Sequence, residues 1–129
     1  MKLQEWINIK MSKSNRYIVY VLHLKKSIMN HAKFKKANPQ YIEGKPCVYV
    51  GYTGKTLEQR IKEHREDLMN KKGTFTLSDK NGFVKKYYLY AAKRSFGNKE
   101  FYNNVNEAEN AEKATAEKLR KKGYGVWSN

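Results

Sequence analysis

Residues 17–24, YIVYVLHL, form an apolar run of β-branched and aromatic side chains, which predicts a strand buried on both faces. Residues 47–52, CVYVGY, repeat the pattern and predict a second strand, closed by a turn at Gly54. Between them, residues 25–46 are Lys-rich and hold Pro39, Gly44 and Pro46, so a long connection is expected, with a short helical piece around Ser27–Lys36. Thr56-Leu57-Glu58-Gln59 matches a capping box, which starts a helix at Thr56. That helix is expected to reach about Asn70, with Gly73 as its stop. Residues 74–83 read as polar and turn-like, 84–93 (VKKYYLYAAK) as a third strand, and 94–105 as a loop. Asn106-Glu107-Ala108-Glu109 resembles a second N-cap, opening an Ala-rich helix over 107–122 that Gly123 stops. The closing YGVWSN can add a short strand. The order β-β-α-β-α is that of a small α+β domain with a three-stranded, mostly antiparallel sheet flanked by helices. It occupies residues 15–129, after an N-terminal extension, 1–14, whose Trp6, Ile7 and Ile9 are expected to anchor on the sheet.

The same periodicities sort the side chains by face. Tyr20 shares a strand face with Ile18 and Leu22, and Tyr49 shares one with Cys47 and Gly51. A glycine inside a strand marks a place where something approaches the backbone, so Tyr49-Val50-Gly51 offers a phenol beside open main chain. On the first helix Leu57, Ile61, His64 and Leu68 form one stripe, with Arg60 at its edge, four residues before His64. A core histidine and a snorkelling arginine would explain both residues if they stood alone. On the late helix Ala108, Ala111, Thr115 and Leu119 make the inward face, and Glu112 falls among them, whereas Glu109 and Glu117 point elsewhere. A carboxylate on a packing face requires compensation. A neighbouring Arg or Lys supplies it, or a hard cation does.

Charge changes the picture. The chain of 129 residues carries 27 Lys+Arg against 12 Asp+Glu, a formal net charge of +15. The partner suited to such a field is a polyanion, most often nucleic acid. With aromatics at 13% the chain is too rich in core-forming side chains for a disordered basic tail. The single cysteine, Cys47, excludes an intrachain disulfide framework and a Cys-rich zinc site, and agrees with a cytoplasmic location. No apolar run approaches the ~20 residues of a membrane span, and residues 1–14 lack the apolar stretch of a signal peptide. Two tyrosines, an arginine, a histidine and an inward glutamate could together surround a phosphodiester. The glutamate would bind Mg²⁺, the arginine would stabilise charge on the phosphoryl oxygens, and a tyrosine or histidine would orient or deprotonate water.

The run CVYVGYTGKTLEQRIKEH resembles the second half of the GIY-YIG endonuclease module. Tyr49-Val50-Gly51 stands where that family has Tyr-Ile-Gly, Arg60 follows at the family's usual distance, and His64 comes one turn later. Ile18-Val19-Tyr20 stands where the family has Gly-Ile-Tyr, with isoleucine replacing the glycine. The Ala-rich helix with Glu112, ending in Lys122-Gly123-Tyr124, is similar to the family's late helix. The similarity spans roughly residues 16–127, with the specific part at 47–64. Residues 25–46 would then be an insertion, because the family usually joins its two motifs by a tight hairpin.

The resemblance implies hydrolysis of DNA phosphodiesters, with duplex DNA as the expected substrate and one divalent cation, Mg²⁺ or Mn²⁺. It implies Tyr20 and Tyr49 as the motif tyrosines, one of them a general base or its positioner, with the preference on Tyr20. It implies Arg60 as the phosphate-stabilising arginine, His64 as a proton relay or phosphate contact, and Glu112 as the metal ligand, Glu117 being the fallback. Gly51, Lys25, Lys26 and Lys55 are the expected nucleic-acid contacts. The family's late asparagine has no counterpart here nearer than Asn129. A phenol with an ordinary pKa near ~10 needs neighbouring cations to favour phenolate, or only orients a water that the metal has acidified. Specificity would come from residues 25–46, from a homodimer, or from a separate protein. Two other readings fit the composition: a basic nucleic-acid-binding module without activity, and an adaptor burying its tyrosine-rich strands against a protein.

Overall fold

Two interleaved sets of residues on the central strands decide the layering. Val21, Val48, Val50 and Val126 pack on one side with Ala116 and Leu119. Tyr20, Leu22, Leu24, Cys47 and Tyr49 pack on the other with Ile28, Phe34, Phe83 and Val84. Alternation along a strand sends successive side chains to opposite faces, so each strand supplies both cores and helices must cover both faces. The structure is a computed structural model and describes residues 16–66 and 82–128. The expected anchors Trp6, Ile7 and Ile9, the end of the first long helix with Leu68, Asn70 and Gly73, and Asn129 lie outside those residues.

The strands are β1 (Ile18–Leu24), β2 (Cys47–Thr53), β3 (Tyr88–Ala91) and β4 (Gly125–Ser128), in the sheet order β3-β1-β2-β4. β1 pairs antiparallel with β2 and with β3. β4 pairs in parallel with β2, Cys47 facing Gly125 and Val50 facing Ser128. The domain is therefore small and α+β as the pattern predicts, but among the described residues its sheet has four strands and is mixed, not three-stranded. The fourth strand comes from the short GVWS run, which is too brief to announce its partner.

The helices are α1 (Ala32–Ala37), α2 (Leu57–Arg65), α3 (Phe83–Tyr87) and α4 (Val105–Lys121). A 3₁₀ turn over Lys26–Asn30 precedes α1. The Thr56 hydroxyl accepts from the Gln59 amide at 3.2 Å, the expected cap of α2. α2 is described over Leu57–Arg65, with Glu66 as its C-cap, and the expected continuation to Asn70 lies outside the described residues. α4 starts earlier than expected, because the Asn104 side chain, not Asn106, caps it by accepting from the Glu107 amide at 2.9 Å. Residues 84–93 are not one strand. Phe83, Val84 and Tyr87 fall on one helical face and are buried or half-buried, whereas Lys85 and Lys86 are exposed. That i, i+1, i+4 spacing suits a helical turn, and only Tyr88–Ala91 remain extended.

Residues 25–46 are built into the core rather than draped over it. Ile28 and Phe34 are fully buried. Asn38, also buried, donates to the Phe34 carbonyl at 2.9 Å and accepts from the Val126 amide at 2.8 Å. Gln40 donates to the Tyr124 carbonyl at 3.0 Å. This segment thus supplies the hydrogen-bond partners that the outer side of β4, an edge strand, would otherwise lack. Among the described residues no helix is long and apolar enough to cross a membrane.

Candidate active site

The register of the two central strands sets Tyr20 directly opposite Gly51. A Cβ added at Gly51 would lie 2.5 Å from the Tyr20 hydroxyl oxygen, 2.6 Å from its Cζ and 3.0 Å from the Tyr49 ring. The approach that the strand glycine predicts is therefore made by the Tyr20 phenol itself, which lies across the glycine's open main chain. Any larger residue at 51 would displace it.

α2 fixes the hydroxyl from the other side. Its cap at Thr56 sets the helix phase so that Arg60 and His64 project one turn apart toward the tyrosines. His64 Nε2 lies 2.8 Å from the Tyr20 oxygen, and Arg60 Nε donates to that oxygen at 3.2 Å. Arg60 can only donate, so it occupies an acceptor lone pair of the phenol. Both His64 and Tyr20 are buried. The Tyr49 ring stacks on Tyr20 (centroids 6.2 Å apart, planes 28° from parallel) and meets His64 edge-on at 4.9 Å. Tyr49 is fully buried beneath the other two rings.

A cleft of about 480 Å³ opens above this cluster, lined by Tyr20, Tyr52, Arg60, Glu109, Glu112 and Lys113. It joins the two layers, since Tyr20 and Arg60 belong to the α2 side and the rest to α4 and the opposite face of β2. Glu112 is 4% exposed, and its carboxylate makes no hydrogen bond or ion pair with a described residue. Burial, reinforced by the Glu109 charge and only partly opposed by Lys113, pushes its pKa up from 4.5 to about 7. Burial also draws the Arg60 guanidinium downward, but the Tyr20 and Tyr49 phenols and Glu63 outweigh it, so its pKa is raised and it stays cationic.

Of the residues expected from sequence, Tyr20, Arg60 and Glu112 line one cleft, with His64 and Tyr49 directly behind them. Lys55 does not line it. Its amine pairs with Glu63, whose other oxygen lies 3.5 Å from Arg60 Nη1. Lys25 and Lys26 lie beyond Leu24, the end of β1, which is itself four residues and roughly 13 Å along the strand from Tyr20. The Lys26 amine donates to the Gly44 carbonyl at 2.9 Å. Glu117, the fallback ligand, is exposed and pairs with Lys121 at 3.6 Å.

Three residues of the site were not anticipated. Glu63 ties Arg60 to Lys55 and restrains both cations. Tyr52 donates to Glu109 Oε1 at 2.9 Å, and that bond, with burial behind it, raises the Tyr52 pKa and keeps its proton in place. Glu109 lines the cleft, contrary to its expected outward direction. The signal was available in its position, because a residue three before Glu112 sits only ~60° from it around a helix. Comparisons with protein-family models, with curated proteins and with solved structures gave no match for this chain.

Proposed function

We propose that the protein is a metal-dependent DNA endonuclease of the GIY-YIG type, hydrolysing phosphodiester bonds with one divalent cation, Mg²⁺ or Mn²⁺. The observation that carries the reading is the cleft itself: an unpaired buried carboxylate, Glu112, faces a guanidinium, Arg60, and a phenol held in a fixed direction, Tyr20. A carboxylate kept from water without a counter-charge is energetically costly. A hard cation with oxygen ligands and retained water suits it, and the cleft has room for that water. Glu112 would hold the cation, which when bound supplies Lewis acidity at the phosphoryl oxygens.

The chain's own groups do the rest. Arg60 neutralises charge that builds on the phosphoryl group, in a site where it needs no reorganisation. Tyr20 faces the cleft with one lone pair already committed to Arg60, so its direction is set. With His64 Nε2 as acceptor, the Tyr20 proton passes inward to it as the phenol takes one from the attacking water. This relay lets a poor base work, since the proton ends on an imidazole and not on an isolated phenol. Tyr49 holds the Tyr20 and His64 rings in place and has no access to the cleft. The net charge of +15 supports a polyanionic substrate.

The test is incubation with supercoiled plasmid and Mg²⁺ or Mn²⁺, comparing wild type with Glu112→Ala and Arg60→Ala. Wild type should nick or linearise the plasmid, and each variant should fall by about 10²-fold or more. Equal cutting by all three, or DNA binding with no cutting by wild type, overturns the assignment. The second result would favour a nucleic-acid-binding module.

A further inference from the structure

Glu109 and Glu112 stand one turn apart on α4, and both line the cleft opposite Arg60. Neither carboxylate forms an ion pair with a described lysine or arginine, although Lys113 lies beside them on the cleft wall. Glu112 is nine-tenths buried, lacks any hydrogen-bond partner among the described residues, and opens into the cleft. Glu109 is only half-buried, yet one of its two oxygens is fixed by the Tyr52 hydroxyl. Tyr52 comes immediately after Gly51, on the strand face that looks toward α4, so β2 orients one group on each side of its sheet: Tyr20 through the bare glycine, Glu109 through the next phenol.

An exposed glutamate on a helix has several accessible rotamers, and ordering it costs conformational entropy. A half-buried phenol donating to one oxygen removes much of that freedom and leaves the second oxygen available. Hydrogen-bonded carboxylates of this kind recur around bound cations, where an outer partner orients the ligand.

We propose that Glu109 is a second carboxylate ligand of the cation site, with Tyr52 as its positioning residue, so that a divalent cation is taken between Glu109 and Glu112. The inference rests on the endonuclease reading for the cation's role, but its test is binding and not turnover. Mn²⁺ affinity is measured on the full chain without DNA, by titration calorimetry and by the loss of the free-ion electron paramagnetic resonance signal. The proteins are wild type, Glu109→Gln, Glu112→Gln and Tyr52→Phe, each checked for cooperative urea unfolding. Glu109→Gln and Glu112→Gln are each expected to weaken Mn²⁺ binding by at least tenfold, and Tyr52→Phe by about tenfold. Tyr52→Phe should have no further effect in the Glu109→Gln background, since it acts through that carboxylate.

If Glu109→Gln binds Mn²⁺ as wild type does while Glu112→Gln is weakened, the second-ligand assignment fails and the endonuclease reading stands. If wild type shows no saturable Mn²⁺ binding, both fail. A Tyr52→Phe loss that persists unchanged with Glu109→Gln overturns the positioning role.

Discussion

Glu112 combines two properties that conflict: it is acidic, and it is buried with only Lys113 partly offsetting its charge. Its raised pKa gives a pH dependence with a definite sign. A carboxyl whose folded pKa exceeds its unfolded one favours the folded state below the unfolded value, and that benefit disappears as pH rises through the folded value. Here the window runs from 4.5 to about 7. The full shift corresponds to roughly 3 kcal/mol, and water in the open cleft screens this to about 1–2 kcal/mol. In EDTA, Glu112→Gln should therefore be more stable than wild type by about 1–2 kcal/mol near pH 8, with the gap closing toward pH 5. Urea unfolding at both pH values measures it, and a gap that stays constant across the window would contradict the buried-charge account. The residue was legible in sequence because helical periodicity places it among Ala108, Thr115 and Leu119. Glu109, ~60° from Glu112 around the helix, was legible by the same rule, but Tyr52 was not, because nothing in periodicity says that a phenol from a neighbouring strand will bond that half-exposed carboxylate.

At the scale of elements, the sequence pattern was most informative where one rule acted alone. Strands β1 and β2 are apolar on both faces, and the helix after Thr56 begins at a capping box, so all three fall where the pattern puts them. Where two periods compete within ten residues, as over 84–93, the local pattern is ambiguous and packing decides: Phe83 and Val84 enter the core as a helical turn. Residues 25–46 gave the least away, since their lysines and prolines read as a loop while Ile28, Phe34 and Asn38 are core. Asn38 is the pin of this segment. Its side chain serves the Phe34 carbonyl and the Val126 amide, joining α1 to β4. Asn38→Ala leaves a buried donor and a buried acceptor without partners, which costs about 2–3 kcal/mol. Chemical denaturation should show that loss, and hydrogen exchange should show the Val126 amide exposed faster than those of β1. A loss under about 0.5 kcal/mol would mean that the segment covers β4 without holding it.

For the whole molecule the decisive quantity is the net charge of +15, which remains after all 12 acids are set against 27 Lys and Arg and so cannot be neutralised by any internal pairing. A field of that size is costly to concentrate unless something anionic shares it. The endonuclease and the non-catalytic binding module both require DNA affinity, and the protein adaptor does not, so affinity separates the third reading from the first two. Its salt dependence gives the argument a number. If the face around the cleft neutralises about five phosphates, log K should fall with log salt at a slope of about −4.5, a drop of roughly five hundredfold between 50 and 200 mM. Fluorescence anisotropy with a short duplex, in EDTA so that no strand is cut, measures this directly. Lys113→Ala, which removes the one lysine among the described residues of the cleft wall, should reduce the slope by about 1 and leave base preference unchanged. A near-zero slope in wild type would show that the charge serves some purpose other than holding a nucleic-acid backbone, and the cleft would then lose its substrate along with its electrostatic rationale.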